Sequence, residues 1–182
     1  MGKYVKVMFG NTSSANKDLI YKFDSLNVCD NFNVNDKSGF YFSTYDKILR
    51  WLIRGDTLCD VTVPSDGIIV ECENPSSPHG VFKSDKIILS NPRKIDEDMA
   101  LDIYEKSDLP LVSYYKSLAG LAIRGYRKAC YKLIEDRISK DNIDLVLNEI
   151  NDFYRPTYLS HNDNDNVDLY NEIIDVLNKI KG

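Results

Sequence analysis

The spacing of apolar residues changes near Pro92, and this change constrains the fold more than any other feature of the sequence. Before Pro92, short segments such as 3–9 and 58–64 have strand-like character and are separated by turn-forming residues. After it, apolar residues recur every three or four positions, as in amphipathic helices. Strands followed by helices favour an α+β fold over a doubly wound sheet. The sequence therefore predicts an α+β protein with a mixed-sheet head domain at 1–92 and an all-helical C-terminal region at 93–182.

The head domain contains segments with the composition of strands and one segment with the pattern of a helix. The strands are predicted at 3–9, 19–23, 39–42, 58–64, 67–73 and 81–89. The first strand alternates lysines with apolar residues, which is typical of an edge or half-exposed strand. A helix is predicted over 44–54, because Ser43 or Thr44 can cap its start. Asp46 in its first turn and Gly55 after its end support the same helix.

The C-terminal region is predicted to be helical from 96 to 155 and again from 167 to 181. Asp96 is a candidate N-cap for the first of these helices. Apolar residues of the last helix form one stripe, which consists of Tyr170, Ile173, Ile174, Leu177 and Ile180. We interpret the stripe as a surface that docks on the rest of the protein, with oligomerisation as the alternative.

Composition limits the classes of partner and the cellular compartment. The net charge of -5 argues against a nucleic-acid-binding protein, because phosphate backbones are bound by clustered lysine and arginine. The four cysteines form no CxxC pair and the chain has only 2 histidines, so no zinc site and no other metal site is predicted. No apolar run is long enough to span a membrane, and the N-terminus lacks a signal-peptide core. These features predict a cytoplasmic protein with reduced thiols that binds neither nucleic acid nor membrane.

Two polar segments of the head domain are candidate ligand sites. Ser43 and Thr44 stand where a strand passes into a helix, and the first turn of a helix presents free backbone N–H groups that bind anions. The loop after the first strand contains Gly10, Asn11, Thr12 and Ser13, which are small enough to let an anion approach the backbone. We therefore expect a nucleotide or another phosphorylated ligand to bind where the two segments meet. A plain helix cap at Ser43 and Thr44 is the alternative interpretation.

Four blocks of the head domain resemble an uncharacterised protein family of AT-rich bacteria and their phages. In chain order they read KVMFGNTSSA, GFYFSTYDKILRWL, CDVTVP and VFKSDKIIL. The same order of blocks is similar to the head domain that precedes ankyrin repeats in some giant-virus proteins. The stretch 117–136 resembles one degenerate ankyrin-type helix pair, with Gly125 between its helices. The resemblance covers roughly residues 3–92 and implies architecture more than activity.

The layout of the head domain also resembles, more distantly, the ADP-ribosyltransferase fold. The positions that match the family are the first motif, Gly10, Asn11, Thr12 and Ser13, the second motif, Tyr41, Ser43 and Thr44, and the acid, Glu71, Glu73 or Asp85. The resemblance implies that the first motif holds the ribose of NAD and that Tyr41 stacks on the nicotinamide. The acid would stabilise an oxocarbenium-like transition state. The family's first motif begins with arginine or histidine, where segment 3–9 offers only lysine.

Three classes of function follow from these features. A non-enzymatic binding or regulatory protein, with a nucleotide or phosphorylated ligand in the head domain and no cofactor, is the first expectation. An ADP-ribosyltransferase with NAD as cofactor is the second, and an adaptor that binds a protein partner through the helical tail is the third. Walker, GxGxxG and GxSxG motifs do not occur in the sequence, which argues against P-loop nucleotide hydrolysis and serine hydrolase chemistry.

Overall fold

The computed structural model describes residues 3–13, 19–73, 79–153 and 166–182. The chain divides into two compact units, one formed by residues 1–48 and 54–95, the other by residues 49–53 and 96–182. The first unit contains all the strands found in the described residues. They are β1 (Tyr4–Met8), β2 (Leu26–Val28), β3 (Phe40–Thr44), β4 (Thr57–Thr62), β5 (Ile69–Glu71), β6 (Val81–Ser84) and β7 (Lys86–Lys94). The helices are a 3₁₀ helix (Tyr45–Arg54), α1 (Glu97–Glu105), α2 (Leu111–Ile123), α3 (Arg127–Arg137), α4 (Ile143–Phe153) and α5 (Val167–Lys181).

The seven strands form one sheet in the order β2-β7-β4-β1-β3-β6-β5. Every pair of neighbouring strands is antiparallel, and the parallel contact is an isolated bridge between Phe23 and Leu89. Because all the strands precede the α-helices along the chain, the predicted α+β class is confirmed, whereas the sheet is antiparallel and not mixed as predicted. The predicted boundary at 92/93 falls within β7, which continues through Pro92 to Lys94.

The 3₁₀ helix connects two parallel strands that flank β1. Both β3 and β4 pair antiparallel with β1, so they run in the same direction and need a crossover between them. The helix begins next to Thr44, which lies opposite Tyr4, and the chain returns at Asp56, whose N–H donates to the Met8 carbonyl over 3.0 Å. Ten residues of 3₁₀ helix span about 20 Å, against about 15 Å for an α-helix of that length. The longer reach suits a connection that passes the whole length of β1.

The sheet carries a hydrophobic core on one face, which we call the core face. It is formed by buried side chains from several strands and the adjoining loop: Met8, Tyr21, Phe40, Phe42, Cys59, Val61, Ile87 and Leu89. Tyr4 and Phe82 pack against this cluster, and their rings lie 5.0 Å apart. Side chains alternate between faces along a strand, so Val5 and Val7 point to the opposite face, where both are buried. Strand β1 is thus a central strand that is buried on both faces, and the predicted edge or half-exposed strand is wrong.

The second unit is a helical assembly built around α2. Most of α2 is buried, and it packs against α3, α4 and α5, while α1 packs against α3. Asp96 caps α1 as predicted, because its carboxylate accepts the Met99 N–H over 2.8 Å. Gly125 separates α2 from α3 with φ +84°, a conformation that favours glycine. The stripe of α5 buries Tyr170, Ile173 and Leu177, and α5 contacts α2 and α4, so it docks within this unit as expected.

Three predicted elements differ in detail from the structure. The segment 81–89 forms two strands, because the chain turns at Asp85 and returns as β7. The segment 19–23 forms isolated bridges at Ile20 and Phe23 and no strand. The helix predicted at 44–54 is present as a 3₁₀ helix at Tyr45–Arg54. In the part of the chain that is described, no helix is both long and apolar enough to cross a membrane.

Candidate functional site

The polar groups at the end of β3 are used inside the sheet. The Ser43 hydroxyl donates to the Gly80 carbonyl over 2.6 Å, and the Thr44 N–H donates to the same carbonyl over 3.2 Å. Ser43 is buried, with a relative exposure of 1%. An anion at this position would have to displace both bonds. The junction therefore holds strand β3 against the residues before β6, and these bonds are neither an anion site nor the helix cap stated as the alternative.

Glu71 completes the same local structure. Its carboxylate accepts the Gly80 N–H over 2.9 Å and lies 3.8 Å from the Nδ1 atom of His79. Gly80 has φ +80°, and a Cβ atom at this position would lie 2.5 Å from Cγ of Lys47. Glycine at position 80 thus permits a backbone conformation in which both its N–H and its carbonyl are bound. Glu71, a candidate catalytic acid, has a structural partner in this arrangement.

The loop after β1 is held by backbone hydrogen bonds of its own. The Gly10 N–H donates to the Asp56 carboxylate over 3.3 Å. The N–H and hydroxyl of Thr12 both donate to the Phe9 carbonyl, each over 2.9 Å. The Asn11 carbonyl accepts the Tyr21 N–H over 2.8 Å, and the Ser13 N–H donates to the Leu19 carbonyl over 3.1 Å. The Asn11 N–H makes no hydrogen bond with any residue that the structure describes.

The register of the sheet separates the two predicted ligand segments. Tyr4, at the start of β1, lies opposite Thr44, and Val5 lies opposite Ser43. The loop at Gly10–Ser13 follows the other end of β1. Five strand residues span about 17 Å, so the two segments lie at opposite ends of this strand pair. The structure does not bring them together, and the common phosphate pocket expected from the sequence is not formed by these residues.

The candidate transferase residues are likewise distributed over the sheet. Tyr41 lies opposite Lys83 in the β3–β6 pair, whereas Glu71 lies opposite Phe82 in the β5–β6 pair. Lys83 and Phe82 are adjacent in sequence and point to different faces, so Tyr41 and Glu71 also point to different faces. Glu73 is exposed beyond the end of β5. The sheet therefore does not bring Tyr41 and Glu71 to one face.

Asp85, the remaining candidate acid, is a bracing residue between strands. Its carboxylate accepts the Ile68 N–H over 2.7 Å, and its backbone carbonyl accepts the Cys29 N–H over 2.8 Å. These bonds connect the turn between β6 and β7 to the chain before β5 and to the end of β2. Asp85 is therefore occupied in holding three segments together.

The pKa of the Tyr41 hydroxyl is raised, mainly by burial and to a smaller extent by Cys72 and Asp36.

A different residue, Lys6, has the environment expected of a ligand-binding group. Lys6 lies opposite Cys59 in the β1–β4 pair and between Tyr4 and Met8 in β1, so its side chain points to the core face. Its ammonium group donates to the Tyr41 carbonyl over 2.6 Å and lies 5.2 Å from the centre of the Tyr21 ring. Among the described residues, the Tyr41 carbonyl is the single hydrogen-bond acceptor of this ammonium group. An ammonium group has three N–H donors, so two remain for a ligand or water.

The electrostatic surroundings of Lys6 are unfavourable to its charge. Burial, followed by the nearby positive charge of Arg54, lowers the pKa of Lys6 to about 8. An ionised Cys59 thiol would raise the pKa of Lys6. Burial, however, raises the pKa of this thiol to about 11, so it is neutral at pH 7. The Lys6 charge thus lies on a partly buried strand, within the field of Arg54 at the end of the 3₁₀ helix. An anion bound to Lys6 would offset this unfavourable field.

The loop after β1 reaches Lys6 through Tyr21. The Tyr21 hydroxyl forms a hydrogen bond with the side chain of Ser13, and burial raises the pKa of Tyr21 to about 12. We define the Lys6 site as the side chains of Lys6, Ser13, Tyr21 and Arg54 with the carbonyl of Tyr41. The site contains one residue of the predicted ligand loop and the backbone, but not the ring, of Tyr41. Ser43, Thr44 and the three candidate acids lie elsewhere.

The sequence contains a signal for the Lys6 site that the alternating pattern obscured. The run from Tyr4 to Phe9 is apolar at every position except Lys6. A strand that is apolar at both parities is buried on both faces, and a lysine within it is then buried whichever way it points. Comparing Lys6 with its four nearest neighbours would have identified it. The interpretation of β1 as half-exposed placed the lysine in solvent instead.

In the part of the chain that the structure describes, no three His, Cys, Asp or Glu side chains come together as a candidate metal site. The four cysteines, all of them described, form no disulfide bond. Comparison of the chain with protein-family models, with curated proteins and with solved structures gave no match. Function is therefore inferred from the geometry of this chain.

Proposed function

We propose that the protein is a non-enzymatic binding or regulatory protein that holds a nucleotide or another phosphorylated small molecule at the Lys6 site. The observation that carries the proposal is the position of Lys6, a lysine on the core face of a central strand whose charge is disfavoured by burial and by Arg54. A partly buried charge with a perturbed pKa costs stability, and such groups concentrate at functional sites. A bound phosphate would offset this cost.

The neighbourhood of Lys6 supplies further groups suited to an anion. The Asn11 N–H and two donors of the Lys6 ammonium have no acceptor among the described residues. Ser13 adds a hydroxyl that reaches Tyr21. The Asp56 carboxylate already accepts from the Gly10 N–H and from the Thr57 hydroxyl, which limits its effect on an incoming anion. These features favour a phosphate group nearer to Lys6 than to Gly10.

The proposal includes a cytoplasmic location and no nucleic-acid partner. Four cysteines without a disulfide fit a reducing compartment, and a net charge of -5 disfavours binding to a polyanion. A single phosphate needs only a local pair of cations, which Lys6 and Arg54 provide. The NAD-dependent transferase receives less support, because Tyr41 and Glu71 point to different faces of the sheet.

A second candidate function is that of an adaptor that binds a protein through the helical unit. It is favoured by apolar side chains that remain exposed there: Leu111 and Val112 at the start of α2, with 50% and 38% exposure, and Leu145 in α4, with 45%. Replacing Leu111 and Leu145 by lysine would abolish partner binding in this case and leave binding at the Lys6 site unchanged.

Calorimetric titration with pyrophosphate, ADP, ADP-ribose and NAD, with adenosine as the uncharged control, tests the proposed function. We expect the phosphorylated compounds to bind and adenosine not to bind. Ligand at one hundred times its dissociation constant should also raise the free energy of unfolding by about 2.7 kcal/mol. Lys6→Met should abolish binding, whereas Lys3→Met, three residues away and exposed, should retain it. Equal binding to wild type and Lys6→Met contradicts the proposal, and release of nicotinamide from NAD would favour the transferase.

A further inference from the structure

Strand β5 is an edge of the sheet whose outward backbone groups are open. The Cys72 N–H donates to the Val81 carbonyl over 2.7 Å, which makes this a hydrogen-bonded pair. Such pairs alternate along an antiparallel ladder, so Val70 is the next residue bonded to β6. The N–H and C=O groups of Ile69 and Glu71 consequently point away from the sheet. No hydrogen bond to another described residue uses them.

The side chains of this edge give it both apolar and acidic character. Ile68 and Ile69 are exposed by 49% and 44%, and with Val70 they form a run of three β-branched residues. Natural edges are protected by short strands, charged side chains, proline or bulges; β5 is short and carries Glu71, but segment 68–71 contains no lysine or proline. The carboxylates of Glu71 and Glu73 lie in or beside it and are exposed. An extended segment that pairs here would place its own side chains beside these acids.

We propose that the β5 edge binds an extended segment of a partner protein that alternates β-branched and basic residues, by adding it to the sheet as a further strand. Backbone hydrogen bonds to Ile69 and Glu71 would hold the segment, and its lysine or arginine side chains would pair with Glu71 and Glu73. A second copy of this chain is a poorer occupant, because two β5 edges would bring like charges along one ladder.

The opposite edge of the sheet provides a matched control. In β2 the Cys29 N–H donates to the Asp85 carbonyl, so the backbone groups of Leu26 and Val28 point outward in the same way. However, β2 has the sequence Leu-Asn-Val and lacks a β-branched run, so it is the weaker template for pairing. Proline at an outward position removes an outward N–H without breaking the ladder to the neighbouring strand. Ile69→Pro and Val28→Pro are therefore equivalent changes at the two edges.

The experiment uses the full chain and two blocked peptides, one alternating valine with lysine and one alternating valine with glutamate. Calorimetry and amide NMR shifts should show that the valine–lysine peptide binds wild type and perturbs Ile69 and Glu71. We expect Ile69→Pro to weaken this binding by about tenfold or more, which corresponds to 1.4 kcal/mol. Val28→Pro should bind as wild type does.

Three results would overturn the proposal: equal binding to Ile69→Pro, equal binding of the two peptides, or binding of neither. Glu73→Lys is the second variant if Ile69→Pro does not fold, since Glu73 is exposed and forms no hydrogen bond with another described residue. It should reduce or abolish the preference for the valine–lysine peptide, because the new lysine offsets the charge of Glu71. An unchanged preference in this variant also counts against the proposal.

Discussion

Two lysines of the same sheet, Lys6 and Lys83, are withdrawn from solvent in different ways. Lys83 is 2% exposed on β6, and its ammonium group donates to the carbonyls of Asn33 and Asp36 over 2.8 Å and 2.5 Å. Its charge also lies 5.3 Å from the centre of the Phe32 ring. Lys6 has one carbonyl acceptor and a cation nearby. Lys83 is thus provided with two carbonyl acceptors, whereas Lys6 has one.

The loop that serves Lys83 is organised by short polar side chains. The Asn33 side chain accepts the Asn35 N–H over 2.9 Å, and the Asp36 carboxylate accepts the Ser38 N–H over 2.6 Å. The Ser38 hydroxyl accepts the Asn33 N–H over 2.7 Å. These bonds fix the turn so that two backbone carbonyls converge on one point. No comparable set of carbonyls among the described residues converges on Lys6, which is the difference that a ligand would correct.

The largest effect is expected from Lys83→Met. Loss of two charge-assisted hydrogen bonds, each contributing about 1.5–3 kcal/mol, is partly offset because water can reach the released carbonyls. We expect the free energy of unfolding in urea to fall by about 2–3 kcal/mol. Lys37→Met, on an exposed residue of the same loop, should have little effect. A Lys83→Met variant as stable as wild type would remove the distinction between the two lysines.

The opposite sign is expected for Lys6→Met at pH 7. The lowered pKa of Lys6, about 8, means that folding penalises its charge. The corresponding cost is at most about 3 kcal/mol, and screening at this partly exposed side chain together with the lost Tyr41 bond reduces the gain to about 1–2 kcal/mol. Methionine also suits a position between Tyr4 and Met8. Urea denaturation should thus show a stabilised variant that no longer binds phosphorylated compounds, and a destabilised variant would show that the ammonium group contributes to the fold.

A pH series should separate the charge of Lys6 from its packing. The folded pKa of about 8 lies below the ordinary value of 10.5, so between these values the unfolded chain binds more protons than the folded chain. Stability from this group therefore rises with pH across that window, and the penalty is fully present below it. The advantage of Lys6→Met over wild type should shrink by about 1 kcal/mol or more between pH 7 and about pH 10. An advantage that does not change with pH would indicate packing as its source.

Much of the fold follows from the sequence because local patterns determine it. The change of period near Pro92, the cap at Asp96 and the glycine between α2 and α3 are each signalled by nearby residues. The order of strands is not a local property. Strands β3 and β4 follow one another in the chain, joined by residues 45–54, but β1 lies between them in the sheet. The 3₁₀ form of that connection depends on the length of β1, and the apolar pattern of residues 45–54 carries no information about that length.

The candidate site was predictable in composition but not in position. The small polar residues Asn11 and Ser13 were correctly placed in a loop after a strand, and Lys6 was visible as the lone charge of an apolar run. The pairing of Tyr4 with Thr44 was not visible, and it separates this loop from Ser43 by the length of β1. Hydrogen bonds to Gly80, which is distant in sequence, decide that Ser43 is structural. Register and distant partners are properties of the assembled sheet.

The smallest effect on stability is expected from Ser13→Ala, which tests how the loop after β1 serves Lys6. Two backbone carbonyls of loop 30–38 bind Lys83 directly, whereas Ser13 reaches Lys6 only through the Tyr21 hydroxyl. Removing one such hydrogen bond should lower the free energy of unfolding by about 1 kcal/mol or less. Pyrophosphate binding should also weaken, although the variant stays folded, because the Tyr21 ring beside the ammonium would lose its anchor. Thr12→Ser, which keeps the hydroxyl bonded to Phe9, is the matched control and should bind as wild type does. If Ser13→Ala binds pyrophosphate unchanged, the loop does not contribute to the Lys6 site, and the ligand must be held by Lys6 and Arg54 without it.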